Sequence, residues 1–239
     1  PRRGAEGADR GLLREGLAAD INVIDYAKFR PEAPELVHDL PSGARRLIQR
    51  CAGIEATPCL AHQMSEAQWD RVLGVNLKGT FLCCQAVLPT MIAKGKGRIV
   101  NIASTAALRM TFFGSIDYTV SKHGVAGLTQ HLAWEVADHS ITVNAVCPGG
   151  VLTPLMEQHT TAEFRDKVIK RLIPLGRMDT IDEIGEAVSF LASDRAAMIT
   201  GQMLSVDGGL MTGFGEDLRP LVRQRMAEAQ AKAAGGTHD

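Results

Sequence analysis

The residues most able to do chemistry in this sequence are a phenol and an ammonium one helical turn apart. Tyr118 and Lys122 stand four positions apart, and residues so spaced share one face of a helix. A free tyrosine keeps its proton to a pKa of about 10. A lysine beside it stabilises the phenolate and brings that value towards the working range of a general acid or base. Ser104 follows the apolar run Ile99 to Ile102, and its hydroxyl is suited either to holding a substrate oxygen or to capping the turn behind it. Tyr-x-x-x-Lys alone is a weak pattern that surface helices contain by chance. Its place directly after a strand and a hydroxyl-bearing loop gives it meaning, and the stretch from Arg98 to Lys122 is predicted to hold a proton-transfer site for an alcohol or carbonyl.

The elements that must position these residues alternate in type. Ser65 and Gln68 fit a capping box, and Trp69, Val72, Leu73, Leu77 and Phe81 follow at helical spacing to about Ala93. Gly95 and Gly97 lead into the strand at Ile99; the Tyr118 helix continues through Val125, Leu128 and Leu132 to about Ala137. A strand over Ile141 to Cys147 closes at Pro148, Gly149 and Gly150. A loop with a helix near 161–171 follows. Thr180 and Glu183 cap a further helix with the stripe Ile181, Ile184, Val188 and Leu191, and a last strand runs from Met203 to Val206. Upstream, INVID at 21–25 reads as a short buried strand, Pro31 and Pro34 precede the apolar pair Leu36 and Val37, and 44–51 is ambiguous between helix and strand. This alternation predicts an α/β fold, a Rossmann-like doubly wound parallel sheet flanked by helices, with its ligand at the carboxyl ends of the strands. We read one domain over 1–239, with an atypical part at 1–50, a catalytic part at 51–212 and a tail at 213–239. The tail is expected to form a short amphipathic helix or to fray.

With 26 basic and 27 acidic side chains among 239 residues, no net field recruits nucleic acid or an anionic membrane, so the expected substrate is a small molecule. Cys51, Cys59, Cys83, Cys84 and Cys147 are odd in number and show no CxxC spacing, which predicts reduced, mostly buried thiols in a cytoplasmic protein. No apolar run approaches the roughly 20 residues that cross a bilayer, and the stretch PRRGAEGADRG lacks the apolar core of a signal peptide. His123 and His131 have no acid or cysteine at ligand spacing, so no metal is expected. Met110, Phe112, Phe113, Leu155 and Met156 form either an apolar substrate pocket or part of the core.

Five motifs in order carry a resemblance: VNLKG at 75–79, NIAS at 101–104, YTVSK at 118–122, NAVCPGGVLTP at 144–154 and SVDGG at 205–209. Together they resemble the short-chain dehydrogenase/reductase family over roughly residues 51–212. The resemblance implies Tyr118 as general acid/base, with Lys122 binding the nicotinamide ribose and lowering the tyrosine pKa. It implies Ser104 orienting the carbonyl and Asn76 holding a water of the proton relay. Pro148 and Gly149 would shape the nicotinamide wall, and the Val151 main chain and Thr153 hydroxyl would hold the carboxamide. A homo-oligomer, dimer or tetramer, is implied as well. The family's serine usually precedes its tyrosine by thirteen positions, where this chain has Thr105; Ser104, fourteen positions away, is favoured by its place in the Asn-Ile-Ala-Ser strand.

The amino-terminal part departs from the family. No apolar strand precedes Gly4, Gly7 and Gly11, whose spacing does not match the glycine-rich turn that admits a dinucleotide pyrophosphate. LLREG at 12–16 resembles the end of the family's first helix and INVID its second strand. Asp25 then falls where an acid binds the adenosine ribose, which favours NAD over NADP, and Asp39 resembles the acid near the adenine; either is equally suited to a turn or cap. The family's Asn-Asn-Ala-Gly stands here as Arg50-Cys51-Ala52-Gly53. The expected activity is transfer of a hydride between NAD(P) and a secondary alcohol or ketone. The alternatives are a cofactor-independent isomerase, dehydratase or cyclase using the same pair, and a non-catalytic subunit that stabilises an active relative.

Overall fold

A computed structural model describes residues 53–54, 59–110, 114–152, 156, 161–166, 170–213 and 224, with main-chain pairing also described at 20–21, 35–37 and 46–48. Strands β4 (Gly97–Ile102), β5 (Ile141–Pro148) and β6 (Met203–Val206) lie parallel in that order, and β1 (Asp20–Ile21) pairs parallel with the free side of β4. The register sets Ile99 opposite Val143 and Ile102 opposite Val146. Every residue of β4 and β5 is buried, as a parallel sheet covered on both faces requires.

Successive side chains alternate between the faces. Val100, Ile102 and Val146 pack with Val188 and Leu191 of helix α4 (Ile181–Ala192). Ile99, Ile141 and Val143 pack on the other face with Cys84 and Met91 of α2 (Gly79–Lys94) and Leu132 and Val136 at the end of α3 (Ile116–Glu135). The doubly wound arrangement expected from the sequence is therefore present.

Local chemistry explains the boundaries. Ser65 Oγ accepts the Gln68 N–H and starts α1 (Glu66–Leu73). Gly95, with a φ of 63°, ends α2 in the left-handed conformation that glycine adopts without steric cost. The Thr180–Glu183 capping box is complete at the start of α4.

Three features go beyond the sequence reading or depart from it. The helix from Ser65 is interrupted by a π turn at Gly74–Lys78, a single wide turn of the kind found at functional sites. Along this unit Asn76, Thr80, Cys83 and Cys84 face inward while Phe81 is 45% exposed. The upstream pair β2 (Glu35–Val37) and β3 (Arg46–Ile48) is antiparallel; residues 38–45 between them are too few for a parallel crossover, which needs about a dozen. Finally, α1, the π turn and α2 form one helical unit, Glu66–Lys94, of 29 residues, long and apolar enough by composition to cross a membrane. In the fold this unit lies against the sheet through Cys84 and Met91.

Candidate active site

Tyr118 is half-buried in the first turn of α3, and Lys122 is 2% exposed one turn later. The Lys122 ammonium stands 5.7 Å from the Tyr118 ring centroid and donates to the Ile102 carbonyl at 3.0 Å. The carboxyl end of β4 thus fixes the charge beside the phenol. Ser104 follows at the same strand end, half-buried; its Oγ accepts the Ala106 N–H at 3.1 Å and caps a 3-10 turn over Thr105–Ala107. Thr105 is only 3% exposed inside that turn.

Asn76, fully buried in the π turn, takes the Ile54 N–H on Oδ1 at 2.7 Å and gives its amide to the Ile54 carbonyl and Ser121 Oγ, both at 3.0 Å. Ser121 in turn donates to the Tyr118 carbonyl at 2.7 Å. The π turn is therefore wired to the main chain of the tyrosine. Gly53 closes the group. A Cβ built there would stand 3.0 Å from Asn76 Oδ1 and 3.1 Å from Lys122 Nζ, so only a bare backbone packs this closely against both.

Pro148 ends β5, and Gly149 donates its N–H to the Val206 carbonyl at 2.9 Å. A side chain at Gly149 would meet Asp207 at 2.8 Å, which explains a glycine there. Val151 forms an isolated bridge with Asp179. Asp179 is 5% exposed, and its Oδ2 has no hydrogen-bond partner among the described residues. Burial, reinforced by the charge of Asp207, pushes its carboxyl up to about 6. Cys147, fully buried behind the site, has its thiol pushed up to about 11 by desolvation. Cys83 and Cys84 are also buried and raised, and Cys59 is half-buried.

Of the residues singled out in the sequence, Gly53, Asn76, Ser104, Tyr118, Lys122, Pro148, Gly149 and Val151 are described. Gly53, Asn76, Tyr118 and Lys122 meet directly or through Ser121. Asp25, Asp39 and Thr153 lie outside the described residues, as do Cys51, Phe112, Phe113 and Leu155. Met110 is 74% exposed and Met156 half-buried, so Met110 is not core. No cluster of metal-ligating side chains occurs among the described residues. Sequence reasoning missed Ser121 as the link between Asn76 and Tyr118; its signal was a hydroxyl three positions after the tyrosine.

The residues present suit a nicotinamide ribose: an ammonium carries three donors, a number that matches a diol, and Gly53 brings bare backbone close to it without a side chain in the way. An open parallel sheet with a tyrosine–lysine pair at its strand ends is the framework of a doubly wound α/β enzyme suited to proton transfer at an alcohol or carbonyl. Comparison with known proteins narrows this. Residues 46–211 match the model of the family described as enoyl-(acyl carrier protein) reductase. The chain is 39% identical over 211 residues to a (3R)-3-hydroxyacyl-CoA dehydrogenase of Rattus norvegicus, covering 87% of this chain and 75% of that protein. It is 37% identical over 191 residues to a 3-oxoacyl-(acyl-carrier-protein) reductase of Thermotoga maritima, covering 80% and 75%. A gluconate 5-dehydrogenase from Burkholderia cenocepacia, solved with NADP and tartrate, superposes with a TM-score of 0.63 at 34% identity, over 68% of this chain and 63% of that one. The chain belongs to the short-chain dehydrogenase/reductase family. It is an NAD(P)-dependent oxidoreductase of secondary alcohols and ketones.

Proposed function

We propose that Tyr118 exchanges the proton with the substrate oxygen while the hydride moves to or from the nicotinamide. The observation that carries this reading is the buried Lys122 ammonium, held by the Ile102 carbonyl beside the Tyr118 ring and the Gly53 backbone. Bound NAD(P) supplies the hydride acceptor or donor. In the oxidative direction the Tyr118 phenolate takes the alcohol proton as the substrate carbon gives up its hydride; in reduction the phenol returns that proton to the developing alkoxide. Lys122 stabilises the phenolate and offers hydrogen bonds to the ribose. Ser104 orients the substrate oxygen: its Oγ accepts the Ala106 N–H, and a hydroxyl in that role can still donate its own proton. Burial of Thr105 supports Ser104 over its neighbour. Asn76 anchors the proton relay on the π turn, and Pro148, Gly149 and the Val151 main chain form the nicotinamide wall with Thr153.

NAD rather than NADP is the preferred cofactor in this reading, resting on Asp25 and Asp39 in the sequence. The substrate is a small molecule with apolar surface beside its ketone or carbinol, in keeping with Met110, Phe112, Phe113, Leu155 and Met156. The protein acts as a homo-oligomer, a dimer or tetramer, in the cytoplasm. Exposed Phe81, Leu82 and Ile92 on α2, Trp134 on α3, and a groove lined by Leu73, Leu77, Phe81 and Leu128 support an association surface.

Calorimetric titration with NADH and NADPH, followed by turnover of Tyr118→Phe, tests the reading. Saturable binding with NADH the tighter, and a variant that binds cofactor but does not turn over, is expected. Undiminished turnover by Tyr118→Phe, or turnover in cofactor-free protein, would sink it.

A further inference from the structure

The residue before the tyrosine is a buried carboxylate that the reaction itself does not use. Asp117 is fully buried in the first turn of α3, and three neutral donors converge on it. Ser115 Oγ and the Tyr118 N–H, the latter at 2.8 Å, both donate to Oδ1, and the Gln68 side-chain amide donates to Oδ2 at 3.2 Å. Ser115 occupies the cap position of α3 without capping it, because its hydroxyl serves the carboxylate instead. A buried carboxylate is costly unless several donors satisfy it. Here the donors come from both sides of a helix–helix contact.

The partner side matters. Gln68 belongs to α1, whose continuation through the π turn carries Asn76. The same helical unit therefore reaches Tyr118 twice, through Gln68 and Asp117 to its N–H, and through Asn76 and Ser121 to its carbonyl. Both main-chain polar groups of the tyrosine are held by side chains anchored on one neighbouring element. An ordinary first-turn N–H is satisfied by a cap or by water and does not register the helix against a second one.

We propose that Asp117 is a positioning residue for Tyr118, fixing the tyrosine main chain against the helix that carries Asn76 by accepting the Tyr118 N–H and the Gln68 amide at once. The inference rests on Tyr118 as the proton-transfer group. Asp117 touches neither substrate nor cofactor in this role. Its loss lets the start of α3 shift relative to the π turn, and displacement of a reacting group by as much as 1 Å costs about a hundredfold in rate.

The test compares Asp117→Ala, Asp117→Asn and Gln68→Met in the full chain, with Tyr118→Phe alongside. Asp117→Asn keeps an oxygen for Ser115 and the Tyr118 N–H; Gln68→Met severs the tie from the half-buried partner if the alanine variant does not fold. The expected result for Asp117→Ala is a kcat lower by about 10- to 100-fold, with the substrate KM and the NADH dissociation constant within about twofold of wild type. For Asp117→Asn kcat should return to within about threefold, and Gln68→Met should lose several-fold in kcat alone. The proposal is overturned if Asp117→Ala, or Gln68→Met where the former is not folded, keeps full kcat. It is equally overturned if loss of rate follows loss of folded protein or of cofactor affinity, or if the asparagine variant is as impaired as the alanine one. Should Tyr118→Phe itself stay active, the reading of the site fails first, and a dead Tyr118→Phe beside fully active Asp117 variants rejects this inference alone.

Discussion

Replacing Gly53 by alanine adds one methyl group at the point where Asn76 and Lys122 approach each other. That methyl would lie 3.0 Å from Asn76 Oδ1, 3.1 Å from Lys122 Nζ and 3.3 Å from Asn76 Cγ, so each neighbour must retreat by a few tenths of an ångström. Neither is free to do so. Asn76 is held by three hydrogen bonds of 2.7 to 3.0 Å to Ile54 and Ser121, and Lys122 by the Ile102 carbonyl at 3.0 Å. Overpacking of a buried site costs about 1–3 kcal/mol, consistent with one or two hydrogen bonds weakened by about 1 kcal/mol each. A shift of a few tenths of an ångström, scaled from about a hundredfold per ångström, predicts a kcat lower by roughly 3- to 10-fold. Urea unfolding and steady-state turnover measure the two effects on the same protein. Gly127→Ala is the control: apart from its chain neighbours and the helix's own backbone, no described atom lies within 4 Å of its added Cβ in the interior of α3, so it should leave turnover alone and gain up to about 1 kcal/mol from helix propensity. If Gly53→Ala unfolds at the wild-type urea midpoint and turns over at the wild-type rate, Gly53, Asn76 and Lys122 do not pack as a tight cradle.

Asp179 and Glu183 predict opposite responses to acid. Because the native Asp179 carboxyl is raised from 3.8 to about 6 by burial, the folded state binds its proton more tightly than the unfolded chain. Its contribution is therefore a destabilisation that grows as pH rises from about 4 to about 6 and persists above. Asp179→Asn should raise stability at neutral pH by on the order of 1–3 kcal/mol and flatten that part of the pH profile; parallel wild-type and variant profiles in urea melts between about pH 4 and pH 8 would refute it. Glu183, lowered to about 2 by its hydrogen bond from Arg177, stabilises above its ordinary value of 4.5 and loses that contribution as pH falls towards 2. Thr180→Ala removes the capping box of α4 and should lower stability by about 1 kcal/mol without changing cofactor affinity; an unshifted urea midpoint would show that the box contributes nothing.

Local signals in the sequence determined the elements that depend on near neighbours. The Ser65 and Thr180 caps, the Gly95 stop and the apolar runs of β4, β5 and β6 form where their residue types require. The tyrosine–lysine face came from the helical repeat alone, and the order of five motifs carried the family. Other features depended on contacts between residues far apart in the chain. The π turn has no strong local signature, yet it carries the fully buried Asn76. The antiparallel pairing of Glu35–Val37 with Arg46–Ile48 was hidden because 44–51 reads equally as helix or strand. Asp117 looked like one more acid at a helix start, a position that favours negative charge in any sequence. Only the packing of α1 against α3 brings Gln68 to it, across 49 positions. Sequence periodicity thus set which faces are apolar, whereas the buried polar contacts that hold the tyrosine in place arose when two helices met, because a hydrogen bond between distant residues leaves no periodic trace in either.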